Sequence, residues 1–195
     1  MPRRALFVDR DGTLCERPGA ERRPLRLLPD AAASVRRLNQ DGWQVIVVTD
    51  QPGVAFDEFD EDALADVHER LRLLLLEEGA RLDGIYHCPH HPEGRIERYR
   101  RDCTCRRPGT ALFERARDEM GVDLADSFFV CDSPLALRAA AAAGIRPILV
   151  RTEPARESAA RIEQQAETSL DVVETLNDAA SLVLRSHAAT GAAVS

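Results

Sequence analysis

Asp9 and Asp11 stand two residues apart in the stretch Arg4 to Leu14, which reads R-A-L-F-V-D-R-D-G-T-L. An apolar run leading into acids reads as a buried parallel strand with the acids at its carboxyl end, where open α/β sheets keep their ligand crevice. An aspartate there can attack phosphorus, while a second one two residues on exchanges the proton of the leaving oxygen. Gly12 lets the chain turn sharply away. Taken alone, D-x-D-G-T also reads as a plain strand followed by a turn.

Three other stretches carry candidate chemistry. W-Q-V-I-V-V-T ends in Thr49, whose hydroxyl could hold a phosphoryl oxygen or simply cap a turn. F-F-V-C-D-S-P sets Asp132 after another apolar run, either in the crevice or as the cap of the next helix. Cys88-Pro89-His90 and Cys103-Thr104-Cys105 offer three thiolates and one imidazole, the donor set of a closed tetrahedral structural zinc site. Each pair can chelate from a tight turn, and the segment between them has too few apolar residues to fold without a staple. His87 and His91 flank the first pair, so spacing alone does not choose the histidine, and a redox C-x-C is the competing reading. Cys15 and Cys131 have no partners of matching spacing and read as plain thiols.

These groups need a frame. The pattern gives strands at the first acidic stretch, Trp43 to Thr49, Gly84 to His87, Ser127 to Cys131 and Ile145 to Val150. Helices are expected from Asp30 to Gln40, over 60–78 with Leu64, Val67, Leu71 and Leu74 as its apolar stripe, over 110–120, and over 135–143. A polar helical stretch near 155–167 and a helix over 173–185 complete the chain, with 188–195 expected to be disordered. Strand and helix alternation predicts an α/β fold: a doubly wound, Rossmann-like parallel sheet with helices on both faces. One domain over 1–187 is expected, carrying a zinc-loop insertion at 88–108 and no separate cap domain.

Composition bounds the function. At 195 residues with 44% hydrophobic content the chain can bury one sizeable core. No stretch of roughly 18 apolar residues is present, and Met1-Pro2-Arg3-Arg4 is followed by only four apolar residues before Asp9, so neither a membrane span nor a signal peptide is expected. A cytoplasmic protein without a membrane partner follows as the expectation. The net charge of -7 argues against nucleic acid as a partner, although arginines can gather locally around an anionic substrate. All 26 basic residues are arginine, so any role usually filled by lysine falls to arginine or lapses. Five cysteines in such a chain point to metal or free thiols before disulfides.

Over residues 4 to 150 the motifs resemble those of the haloacid dehalogenase (HAD) superfamily of phosphohydrolases. Within it they are similar to the zinc-containing branch acting on D-glycero-D-manno-heptose 1,7-bisphosphate, with histidinol-phosphate phosphatases as relatives. The resemblance implies that Asp9 is the nucleophile and Asp11 the acid and base. It implies a magnesium ion held by the Asp9 carboxylate, the Asp11 backbone carbonyl and Asp132. T-D-Q-P-G-V-A resembles the second motif T-N-Q-S-G, which makes Thr49, Asp50 and Gln51 phosphate-site residues. C-R-R-P-G resembles C-R-K-P-x-P-G, which places Arg107 where a lysine usually bridges nucleophile and phosphoryl group, and Arg106 toward substrate. It favours His90 beside Cys88, Cys103 and Cys105 as the ligands of structural zinc. The implied reaction passes through an aspartyl phosphate, and the implied partner is a small phosphorylated metabolite. Oligomeric state is open, with a monomer favoured.

The chain also departs from that pattern. Asp50 replaces asparagine and brings a negative charge to the phosphate site, where an unpaired like charge costs several kcal/mol. Pro52 replaces serine, Phe56-Asp57 an Arg-Gly pair, Cys131 a glycine, Ser133 a lysine and Ala136 the second acid of the fourth motif, and the third motif is two residues short. An active magnesium-dependent phosphatase and a noncatalytic relative serving as a binding or scaffold protein are therefore both carried forward.

Overall fold

The computed structural model describes residues 3–17, 24–151 and 170–192. Six strands form one sheet: β1 (Ala5–Val8), β2 (Gln44–Asp50), β3 (Gly84–Cys88), β4 (Phe128–Cys131), β5 (Arg146–Val150) and β6 (Asp171–Val173). Every pairing is parallel, and the strand order is β3-β2-β1-β4-β5-β6. That order is doubly wound, with its direction reversing between β1 and β4, where such sheets open a crevice at their carboxyl ends. The expected fold class is present.

Because side chains alternate across a strand, each central strand feeds two cores. Leu6, Val8, Val45, Val47, Phe128 and Val130 pack on one face with α1 (Ala31–Gln40), α2 (Glu61–Glu77) and part of a C-terminal helix. Phe7, Ile46, Val48, Phe129 and Cys131 pack on the other with α3 (Ala111–Met120) and α4 (Pro134–Ala142). On that second face Phe113 meets Phe7 and Phe129 edge to face, at centroid distances of 5.2 and 5.1 Å. Among the described residues, the only regular element between β3 and α3 is a 3-10 turn at Glu97–Tyr99.

Four expectations change in detail. The sheet gains β6, a three-residue, half-buried edge strand at the point where a helix was expected to begin. The last helix, α5, instead spans Leu176–Ala192, so it starts later than expected and continues beyond 187 into residues expected to be disordered. The buried stripe of α2 is Leu64, His68, Leu71 and Leu75, whereas Val67 is 36% exposed and Leu74 half-buried. Asp30 precedes α1 but makes no side-chain cap; its left-handed backbone, φ 61°, turns its carbonyl toward the Ser34 N–H and hydroxyl instead. Asp60 does cap α2, accepting the Ala63 N–H at 2.8 Å. The polar stretch near 155–167 lies outside the described residues.

Candidate active site

Asp9 follows β1 directly, and its N–H donates to the Val130 carbonyl at 2.9 Å, which ties it to β4 at the reversal point of the sheet. Asp132 follows β4 and lies in the same rim. Its carboxylate packs against Gly12, where a Cβ would overlap Oδ2, and that oxygen accepts a hydrogen bond from Arg17 Nη2. Gly12 also has φ 83°, so glycine is required here for both space and backbone. The turn is tight: the Gly12 N–H reaches the Cys15 carbonyl at 2.7 Å, and Leu14 and Cys15 both donate to the Arg10 carbonyl at 3.0 Å.

Asp9 is buried among the charges of this rim. Burial raises its pKa above the ordinary range; the Arg107 guanidinium opposes that, and the charges of Asp132 and Asp11 add to it. Its Oδ1 accepts the Arg10 N–H at 2.9 Å and its Oδ2 accepts Arg107 Nη1 at 2.6 Å. Asp11 is gripped by Arg10 through Nε to Oδ1 at 2.9 Å and Nη2 to Oδ2 at 2.8 Å. Gln51 Nε2 donates to Asp11 Oδ2 and to Thr49 Oγ1, both at 2.9 Å, and so links the end of β2 to the first acidic loop. Thr49 and Gln51 are buried.

The second sequence pattern and the Cys/His segment meet at Arg107. Its Nε donates to Asp50 Oδ2 at 2.9 Å while Nη1 reaches Asp9, and the side chains of all three are largely buried. The charge that Asp50 adds is thus paired, contrary to the cost expected for it as an isolated acid. Arg106 lies farther back, with Nη1 3.5 Å from the His90 carbonyl. Gly109 closes the turn after these arginines: a Cβ there would overlap the Thr104 carbonyl.

Cys88, His90, Cys103 and Cys105 come together as a group that could hold a metal ion, their ligand atoms all within 4.8 Å of one another. The Sγ–Sγ separations are 3.6 Å for Cys88–Cys103, 3.2 Å for Cys88–Cys105 and 3.2 Å for Cys103–Cys105. His90 Nδ1 lies 3.2 Å from Cys105 Sγ and 3.7 Å from Cys88 Sγ. Tetrahedral zinc with bonds of about 2.3 Å to sulfur and about 2.0 Å to nitrogen needs edges of roughly 3.5–3.8 Å, so a small expansion of this cluster fits it. Burial raises the Cys88 and Cys105 thiols; at Cys103 burial acts in the same direction, but hydrogen bonds from Cys105 and the Arg106 N–H carry it below the ordinary range. Of the candidate histidines, His90 joins the thiols, while His91 packs at a tilt against Phe56 and His87 against His68. Cys15 and Cys131 are buried, with thiols pushed up chiefly by burial, Cys15 to about 12, as suits unreactive core residues.

For magnesium, the rim supplies oxygens only, from two carboxylates on adjacent strands whose repulsion a divalent cation would relieve, and this donor set fits a hard cation. The residues the sequence reading missed are Arg10, Arg17 and His68. Arg10 is buried between Asp9 and Asp11 and meets His68 Nε2 at 3.3 Å. Burial, the Arg10 charge and His87 lower the His68 pKa to about 3, so its ring is neutral. Spacing could have found it, since His68 falls four residues after Leu64 and three before Leu71 on the true buried stripe.

A doubly wound sheet with an aspartate nucleophile candidate at its switch point, a second acid two residues on and a third on the neighbouring strand defines a HAD-type hydrolase. Residues 104–179 match the family model described as HAD-hydrolase-like. The chain is 38% identical over 151 residues to the D-glycero-beta-D-manno-heptose-1,7-bisphosphate 7-phosphatase of Escherichia coli O6:H1, covering 76% of this chain and 80% of that protein. It is 35% identical over 187 residues to the phosphatase of the same name from Haemophilus ducreyi, covering 94% and 98%. Among solved structures, the D,D-heptose 1,7-bisphosphate phosphatase from B. bronchiseptica, complexed with magnesium and phosphate, superposes with a TM-score of 0.80 at 31% identity, covering 93% of this chain and 99% of that one. The chain belongs to the family of these HAD-type heptose-bisphosphate phosphatases. It is a phosphatase by family, and among its described residues no helix is long and apolar enough to cross a membrane.

Proposed function

We propose that this protein is a magnesium-dependent phosphomonoesterase that removes one phosphate from D-glycero-D-manno-heptose 1,7-bisphosphate or a close sugar phosphate, through an aspartyl-phosphate intermediate. The observation that carries the reading is the convergence of Asp9, Asp11 and Asp132 at the sheet's reversal point, with Arg107 donating to Asp9. Asp9, Asp132 and the Asp11 carbonyl would hold magnesium, which when bound offsets phosphate charge that would otherwise repel the nucleophile. Asp9 attacks phosphorus through a carboxylate oriented by the Arg10 N–H and Arg107. Thr49 and Gln51 lie at the end of the neighbouring strand β2, and the Thr49 hydroxyl, which accepts from Gln51, would donate its proton to a phosphoryl oxygen. Asp11 protonates the leaving oxygen and then takes a proton from the water that hydrolyses the intermediate. Arg10 engages both Asp11 oxygens, so this duty requires the carboxyl to let go of at least one guanidinium nitrogen.

Cys88, His90, Cys103 and Cys105 would hold zinc, which when bound would act from a distance, as a clip on the segment that carries Arg106 and Arg107. Family membership and the TM-score of 0.80 to a magnesium and phosphate complex support the reading. The test is phosphate release from a panel of sugar mono- and bisphosphates and histidinol phosphate, with and without magnesium. Turnover that needs magnesium and falls at least about a thousandfold in Asp9→Asn is expected. A wild-type protein that releases no phosphate from any member would point instead to a binding or scaffold role.

A further inference from the structure

Asp50 is a carboxylate set beside a phosphate-handling rim, which is a poor choice for a group that touches an anionic substrate. Its partner explains it. Arg107 uses Nε for Asp50 at 2.9 Å and Nη1 for Asp9 at 2.6 Å. These two contacts lie on different edges of the planar guanidinium and fix both the position and the rotation of the group. Nη2 makes no hydrogen bond to a described residue, so its two N–H donors are left over and held in a set direction. Asp50 Oδ1 is buried without a hydrogen-bond partner, which leaves Arg107 as the group that neutralises this carboxylate.

We propose that Asp50 is a positioning residue: it anchors Arg107 so that one guanidinium nitrogen orients the nucleophile Asp9 while Nη2 points at a phosphoryl oxygen of the substrate. This rests on the phosphatase reading and deepens it. The pair works as a unit because either half alone leaves a fault. With lysine at 107, a single ammonium can face Asp9 but no longer spans to Asp50, whose carboxylate is then buried and uncompensated. With asparagine at 50, Arg107 keeps its charge but loses its second anchor, and its guanidinium is free to fold onto Asp9 and shield the attacking oxygen. Changing both removes the stranded charge and the surplus reach together.

A double-mutant cycle tests this, with Asp50→Asn, Arg107→Lys and the double variant measured in the zinc- and magnesium-loaded enzyme. Asp50→Asn is nearly isosteric, and melting curves identify any variant that has not folded. The expectation is that Asp50→Asn lowers kcat at least about tenfold with KM changed less than about threefold, because only the orientation of the reacting groups is lost. Arg107→Lys lowers kcat at least about a hundredfold, and the double variant recovers to within about tenfold of wild type. Inorganic phosphate is held by this rim alone and so depends on Nη2 more than the KM of a whole substrate does; the same cycle read in its Kd gives the same order of loss and recovery without turnover, and decides the proposal even if no substrate in the panel is cleaved. Additive losses in the double variant, or wild-type kcat and phosphate affinity in Asp50→Asn, would overturn it.

Discussion

The two halves of the candidate site are held by different forces. Asp9, Asp11 and Asp132 hang from β1 and β4, whose residues are almost wholly buried and hydrogen-bonded to one another. Arg106 and Arg107 come from the segment 88–108, which contributes Cys88, and at its margin Cys103 and Cys105, to the apolar core, and whose backbone forms little regular structure. The acids are therefore positioned by the hydrophobic effect acting on the sheet, and the cations by a cluster of four ligand side chains. An arm held by four ligand side chains, set against a frame held by its apolar core, teaches that the two can be disabled separately. Removing zinc with a strong chelator, or changing Cys103→Ser, is expected to produce the largest effect. Structural zinc contributes about 10 kcal/mol or more of local folding energy, so the loop loses its shape, zinc content falls from about one per chain to none, and turnover drops at least about a hundredfold. Circular dichroism of the sheet and α-helices should change little; a global unfolding transition on zinc removal would break the comparison.

The reverse experiment strikes the frame. Phe113 is buried and meets Phe7 and Phe129 edge to face across α3, β1 and β4. Phe113→Ala should cost about 3–5 kcal/mol of global stability in denaturant titrations, from lost burial and the cavity left behind. Zinc content should stay at one per chain: Cys88, Cys103 and Cys105 share this core with the rings, but their grouping with His90 is fixed by the four ligand side chains. If zinc is lost as well, the arm and the frame are one cooperative unit and the distinction between them is too sharp.

Legibility in the sequence followed the same division. The frame was readable because its signal is local and periodic: the apolar runs before Asp9, Thr49 and Asp132 each became strands, and the spacing of Cys88, His90, Cys103 and Cys105 identified a cluster that the chain does assemble. The misses occur where meaning depends on a distant partner. Asp50 and Arg107 looked like two separate departures from the family pattern, and only the fold shows them to be one ion pair between residues far apart in the chain. His68 was passed over because a histidine breaks an apolar stripe, although burial is tolerated where the ring finds a polar partner. β6 was missed because three half-buried residues carry too little periodicity to register. Asp57 shows a subtler case: it has φ 61°, so it retains a left-handed backbone at the place where the family pattern has glycine.

His68 supplies the smallest and most selective test, because it joins the frame to the acids through Arg10. Its folded pKa of about 3 lies below the 6.5 of an ordinary histidine, with burial the main cause, the Arg10 and His87 charges adding to it, Asp11 opposing and Arg72 contributing in the same sense as Arg10. Between those two pH values the unfolded chain binds the proton and the folded one does not. The contribution of this neutral ring is therefore fully present above about pH 6.5 and is progressively lost as pH falls toward 3, by at most about 1.4 kcal/mol per pH unit for a single proton. His68→Gln keeps an acceptor for Arg10 but has nothing to titrate. The difference in unfolding free energy between wild type and this variant should be constant above neutrality and shift steadily in favour of the variant as the pH is lowered. Parallel curves down to pH 4 would mean that the ring is protonated in the folded protein, and that Arg10 is held toward Asp11 by the carboxylate and not also by the helix behind it.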